Sequence, residues 1–256
     1  MDWNPDLYEQ FRRYRERPAN ELLAAMHDLE PRLVYDLGCG TGRITLELAR
    51  LYPSAQVVGL DISAAMLHRD PSTDPLNLRF ELGDIGFWNP SERPDVIFSN
   101  AALHWLPDHE VVFPRLISKL APGGNFYIQM PRNFTEADHR TIERVVHDGR
   151  WSDRLTPLWS EARVGAPESY VELLGPSCSD LDVWETVYYQ RLRGSNPVAR
   201  WIEGAALRPY LAVLGEDRHE FMNAIEAEIS AAYPPDDQGV TLYPFRRLFI
   251  AGAAAA

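Results

Sequence analysis

Three acids, three glycines, an asparagine and a His-Trp pair carry the chemistry of this sequence. Asp36, Gly38, Gly40 and Gly42 stand at alternate positions of DLGCGTG. Glycines so spaced make a turn that visits φ > 0 and lets a ligand approach the backbone with no Cβ in the way. Between a strand and a helix, such a turn aims N–H groups and a positive helix end at a polar ligand. Asp61, Asp84 and Asn100 follow, each closing an apolar run, and His104-Trp105 comes soon after Asn100. A carboxylate placed like Asp61 accepts from a ribose hydroxyl pair. Asp84 is placed to accept from an adenine amino group, with Ile85 against the ring face. The cofactor site expected from these positions takes in Asp36, Gly38, Gly40, Gly42, Asp61, Ile62, Met66, Asp84, Ile85, Asn100, Ala101 and Trp105.

The elements that must hold these residues are legible in the apolar patterning. Leu33 to Leu37 reads as a buried strand, and Ile44, Leu46, Leu48 and Leu51 begin a helix that Pro53 closes. Gln56 to Asp61 is the second strand, so the unit is βαβ, parallel and right-handed. Leu78–Gly83, Asp95–Ser99 and Phe126–Met130 are further strands, Leu181–Leu192 and Leu242–Ala251 the last two. Alternation in the sixth puts Val183, Val187 and Tyr189 on one face and Trp184, Thr186 and Tyr188 on the other, both largely apolar.

Helices are expected over Pro5–Arg17, broken by Pro18, then around Leu22–Leu29, Val112–Leu120, Ala137–Trp151, Tyr170–Leu174, Pro197–Leu214 and Glu216–Tyr233. The expectation is one domain over 1–256. Residues 1–30 form an N-terminal helical cap, 31–134 the cofactor-binding core, and 135–180 with 195–235 a helical substrate cover; 181–192 and 240–252 supply the last strands.

The spacing separates two ligand classes. A dinucleotide fingerprint wants glycines at relative positions one, three and six. Counted from Gly38, the sixth position is Arg43, which disfavours a dinucleotide-dependent oxidoreductase. With 25 basic against 37 acidic side chains, the net charge of −12 argues against nucleic acid or an anionic membrane as partner. Two cysteines, Cys39 and Cys178, fit neither a disulfide framework nor a zinc site, and no metal is expected. No signal-like or membrane-spanning apolar run is present, so the reading is a soluble cytoplasmic protein.

The Asp-x-Gly-x-Gly-x-Gly pattern resembles the first motif of class I methyltransferases, which bind S-adenosylmethionine. The resemblance extends along the chain: DWNPDLYEQF and RPA near the N-terminus, NAALHWLPDH (100–109), QMPRN (129–133), VWETVYY (183–189), LRPYL (207–211) and FRRLFIA (245–251) are similar to the trans-aconitate 2-methyltransferase family. The resemblance implies an α/β fold: a three-layer, doubly wound, seven-stranded, mostly parallel Rossmann-like sheet with a helical cover. It implies methyl transfer from S-adenosylmethionine to a carboxylate of a small tricarboxylate, leaving S-adenosylhomocysteine.

A carboxylate is ionised at neutral pH, so that reaction needs no general base. It does need cations and neutral donors for the anion. Arg17, Arg132, Arg208, Arg246 and Arg247 are the candidate cations, and Tyr8, Tyr188 and Tyr189 the candidate hydroxyls, with His104 and Trp105 lining the site. Methylation of a phenol or amine is the alternative, with His104 as base. A non-catalytic S-adenosylmethionine-binding module fits the intact motifs and long cover less well.

Overall fold

The computed structural model describes residues 12–68, 72, 74–147, 150–159, 164–204 and 206–255. The elements in order are α1 (Arg12–Ala24), β1 (Leu33–Leu37), α2 (Arg43–Leu51), β2 (Gln56–Asp61), α3 (Ala64–Leu67), β3 (Leu78–Leu82), β4 (Val96–Asn100), α4 (His109–Ile117) and β5 (Asn125–Pro131). They continue with α5 (Ala137–His147), α6 (Ser152–Leu155), α7 (Pro167–Leu174), β6 (Cys178–Arg193), α8 (Pro197–Glu203), α9 (Arg208–Leu214), α10 (Arg218–Ala232) and β7 (Val240–Ala254).

The seven strands form one sheet in the order β3-β2-β1-β4-β5-β7-β6. β1 pairs in parallel with β2 and β4, β2 with β3 and β4 with β5, while β7 runs antiparallel to β5 with Gln129 opposite Phe249 and Pro131 opposite Arg247. This is the expected mostly parallel, seven-stranded arrangement. Successive connections from β1 go to one side and from β4 to the other, so the order reverses between β1 and β4. Beyond the carboxyl ends of those two strands lies the crevice where open α/β sheets take ligands. All five residues of β1 are buried, as a strand covered on both faces requires.

Two compact units partition the chain. The core unit comprises the described residues within 18–131, 163–186 and 247–256; the second comprises those within 1–17, 132–162 and 187–246. Val34, Leu37, Val57, Val58, Ile97, Phe98, Phe126, Ile128 and Phe249 fill the core unit's interior. Tyr188, Trp201, Phe221, Ile225, Tyr243 and Phe245 fill the second, where buried Asp138 accepts hydrogen bonds from the Tyr243 hydroxyl (2.7 Å) and Asn133 Nδ2 (3.2 Å).

Several boundaries differ from the sequence expectation. α1 runs through Pro18, although proline donates no N–H and leaves the carbonyl four residues back without its helical partner. Burial of Ala19 and Leu22 directly after it offsets that loss. Of the expected 137–151 helix, Ala137–His147 is α5, while Arg150 and Trp151 lie in a turn before a separate short α6. The expected 197–214 helix is two, α8 capped at Gly204 and α9 with Pro209 in its first turn, a position proline suits. In β6 the expectation of two apolar faces fails from Tyr188 onward: residues alternate strictly, and Tyr189 is 63% exposed.

Candidate active site

The glycine turn is fastened to the end of β2. Gly38 and Cys39 both donate to the Leu60 carbonyl, at 2.8 and 3.0 Å, and Gly42 donates to the Cys39 carbonyl at 3.0 Å. Gly38, Gly40 and Gly42 all have positive φ, as the motif predicts. At Gly38 a Cβ would lie 2.2 Å from the Ala102 Cβ, whereas a Cβ added at Gly40 would meet nothing within 4 Å among the described residues. The first glycine is therefore demanded by protein packing, and the second is not. Asp61 does more than its position predicts: Oδ2 accepts from the Gly40 N–H at 2.8 Å and Oδ1 from the Ser63 N–H at 2.9 Å. Ser63 caps α3, its hydroxyl accepting from Met66.

Asp36 is 2% exposed and takes the Thr45 hydroxyl proton at 2.7 Å from one turn into α2. Loss of solvation raises its carboxyl to about 7, against the lowering effect of the Thr45 bond and with a smaller push from Asp61. Thr45 was not singled out in the sequence; its place on the inner face of α2, one turn from the glycines, was the available signal. Asp84 caps the 3-10 turn Ile85–Phe87 by accepting from the Gly86 N–H at 2.7 Å. Arg115 of α4 fixes the same turn, donating to the carbonyls of Ile85 (2.7 Å) and Trp88 (2.9 Å). Ile62 and Met66 present exposed apolar surface beside Asp61.

The segment after β4 is strained and tied down. Ala101 and Asp108 sit at φ 53°, unusual for residues with a Cβ. Ala101 donates to the Gln129 carbonyl at 2.9 Å, and buried Leu103 opens a 3-10 turn carrying His104 and Trp105. The His104 and Trp105 rings lie 4.7 Å apart, and Trp105 is 64% exposed. His109 holds the turn from behind. Its Nε2 lies 3.0 Å from the Leu103 carbonyl, which can only accept, so that nitrogen carries the proton. Its Nδ1 then receives the Tyr170 hydroxyl at 2.6 Å, and Tyr170 accepts from the Gly165 N–H at 3.2 Å. At the end of β4 the buried Asn100 Oδ1 has no hydrogen-bond partner among the described residues.

In the second unit the predicted anion-binding residues are not one cluster. Arg17 lies over the Tyr188 ring, 4.6 Å from its centroid. Arg132 and Arg246 are joined by a backbone hydrogen bond of 3.2 Å, and the Arg246 side chain reaches Glu136 at 3.4 Å. Arg208 is exposed at the start of α9, and Tyr189 lies on the opposite strand face from Tyr188. Tyr8 lies outside the described residues.

A family model for a methyltransferase domain matches residues 33–163, which spans the glycine turn, Asp61, Asp84 and the Asn100–Trp105 segment. The chain is 41% identical, over all of its length and 99% of the relative, to a trans-aconitate 2-methyltransferase of Methylobacterium radiotolerans. It is 40% identical, over 99% of both chains, to one of Yersinia pseudotuberculosis. The chain belongs to the trans-aconitate 2-methyltransferase family. The solved YcgJ protein of Bacillus subtilis shares the fold, with a TM-score of 0.62 at 15% identity over 94% of this chain and 99% of that one.

Membership makes the chain a methyltransferase enzyme whose methyl donor is S-adenosylmethionine. The residues fit that donor. Among the described residues a Cβ added at Gly40 would meet nothing within 4 Å, the buried Asn100 Oδ1 has no partner, and Ile62, Met66 and Trp105 present exposed apolar surface, all in segments that follow β1, β2 and β4. A nucleoside with a charged amino-acid tail needs both kinds of surface.

Proposed function

We propose that the enzyme methylates a carboxylate of trans-aconitate or a closely related small polycarboxylate, giving the monomethyl ester and S-adenosylhomocysteine. The observation that carries this reading is full-length identity of 40–41% to relatives of that name. The donor supplies a sulfonium-bound methyl group open to displacement. Asp36, Gly38, Gly40, Gly42, Asp61, Ile62, Met66, Asp84, Ile85, Asn100, Ala101 and Trp105 are the residues assigned to hold it. The acceptor carboxylate is already ionised, so the protein's part is to orient it, neutralise the remaining charge and exclude water. His104 then lines the site and removes no proton.

For the anion, Arg17 with Tyr188 has the best geometric support, and Arg132 and Arg246 adjoin through the backbone. Exposed Arg208 and Tyr189 stay as weaker assignments. No helix among the described residues is long and apolar enough to cross a membrane. We assign the work to the cytoplasm, on a small soluble acid rather than on nucleic acid or lipid.

The test is transfer from labelled S-adenosylmethionine to a panel of di- and tricarboxylates, phenols and amines. Label should appear in trans-aconitate as a base-labile methyl ester. Transfer confined to phenols or amines would overturn the reading.

A further inference from the structure

The second unit contains two arginines held on aromatic rings and, on the strand face that carries one of those rings, a buried carboxamide. Arg15 lies over the Trp201 ring, 4.4 Å from its centroid, and Nη2 donates to the Trp201 carbonyl at 3.0 Å. Arg17 lies over Tyr188 at 4.6 Å. Phe245 joins the two rings, 5.0 Å from Trp201 and 6.4 Å from Tyr188. All three rings are buried, so each gives its guanidinium a fixed, partly dry platform. Two residues beyond Tyr188, on the same face of β6, is Gln190. It is 0% exposed, and neither Oε1 nor Nε2 has a hydrogen-bond partner among the described residues.

Leaving a buried amide unmet costs roughly 1–3 kcal/mol for each unsatisfied group. Leucine or methionine there would pack without that cost, so stability does not explain the glutamine. An arriving acceptor does. A carboxamide N–H group on the same strand face as the Tyr188 platform suits a carboxylate, and two cations on separate, linked rings suit a molecule bearing more than one. The three groups differ in burial: Arg17 is exposed, Arg15 half-buried and Gln190 buried.

We propose that Arg15, Arg17 and Gln190 form the receptor for the non-reacting carboxylates of the substrate, and so set its preference for a tricarboxylate. This rests on the polycarboxylate reading above. A second carboxylate beyond the reacting one is bound by Arg17 at the outer platform, and the innermost accepts from Gln190 with Arg15 alongside.

The experiment compares trans-aconitate with an unsaturated dicarboxylate lacking one arm, using the full-length enzyme and variants Gln190→Glu, Gln190→Met, Arg15→Met and Arg17→Met. Wild type should favour the tricarboxylate in kcat/KM. In the variants KM for trans-aconitate should rise at least tenfold, kcat should change little, and the preference over the dicarboxylate should collapse. Calorimetric affinity for S-adenosylhomocysteine should stay within twofold. Gln190→Glu should be worst, because it sets like charge against the acid. Should that variant fail to fold in a thermal melt, Gln190→Met and exposed Arg17→Met give the same comparison. Undiminished preference in folded, active variants overturns the receptor. Failure of wild type to methylate any carboxylate overturns the function instead.

Discussion

Gly38 and Gly40 share a motif but answer to different demands. Alanine at Gly38 would place its Cβ 2.2 Å from Ala102 Cβ at φ +79°, so the cost falls on the fold. The Cβ of alanine at Gly40 meets no atom of the described residues within 4 Å and adds the strain of φ +57°, roughly 1–2 kcal/mol. Gly38→Ala should therefore lower the melting temperature more, while Gly40→Ala should lose more affinity for S-adenosylhomocysteine than stability. Normal calorimetric affinity in Gly40→Ala would take the donor off this turn. Asp61→Ala removes both the assigned ribose acceptor and the partner of the Gly40 N–H, and should weaken donor binding by roughly 1.5–3 kcal/mol. Asp36 gives a pH signature. Its folded pKa of about 7 lies above the ordinary 3.8, so the folded state keeps a proton that the unfolded chain has already lost. Its contribution is full below about pH 4 and disappears as pH rises to about 7, a change on the order of a few kcal/mol. Chemical denaturation of Asp36→Asn should show a flatter stability profile across that window; an unchanged slope would mean that Asp36 is ionised in the fold.

At the scale of elements, the strands were legible because each parallel strand is a short apolar run closed by a polar residue at its carboxyl end. Asp61 and Asn100, which end β2 and β4, announced the site in the same way. Helix boundaries were less legible. Pro18 reads as a break, yet packing of Ala19 and Leu22 carries α1 through it, a tertiary effect invisible in local sequence. Gln190, Thr45 and His109 were missed because their surroundings are set by the fold, not by spacing along the chain. Arg208, one of the candidate cations, is exposed at a helix start. The His109–Tyr170 link shows what such contacts do: it ties α7 and Gly165 to the turn bearing His104 and Trp105. Tyr170→Phe takes from the buried His109 Nδ1 the hydroxyl that it receives. It should cost roughly 1–3 kcal/mol in denaturant unfolding, and loss below a few tenths would show that water replaces the hydroxyl.

Over the whole molecule, a chain of net charge −12 is assigned a substrate that is itself a polyanion. Long-range attraction cannot do this, since the overall field is repulsive and is in any case screened beyond a Debye length of about 8 Å at physiological salt. Recognition must be local, which is the part given to arginines seated on aromatic rings. The chain also passes from one compact unit to the other at 17/18, 131/132, 162/163, 186/187 and 246/247. Neither unit is a continuous piece of sequence that could be cut out and tested alone, so the two must be read within the intact protein. Hydrogen exchange does this amide by amide. S-adenosylhomocysteine should slow exchange in the core unit, at 38–46, 61–67, 84–88 and 100–105, because the residues assigned to the donor lie there. Trans-aconitate should slow it in the second unit, around 14–17 of α1 and 187–193 of β6. At a hundredfold excess over Kd each ligand should add about 2.7 kcal/mol of protection to amides that exchange only by global unfolding, with larger local effects near the bound atoms. Protection by trans-aconitate confined to the core unit would remove the arginine platforms from substrate binding, because amides beside a bound anion are the first that it restrains.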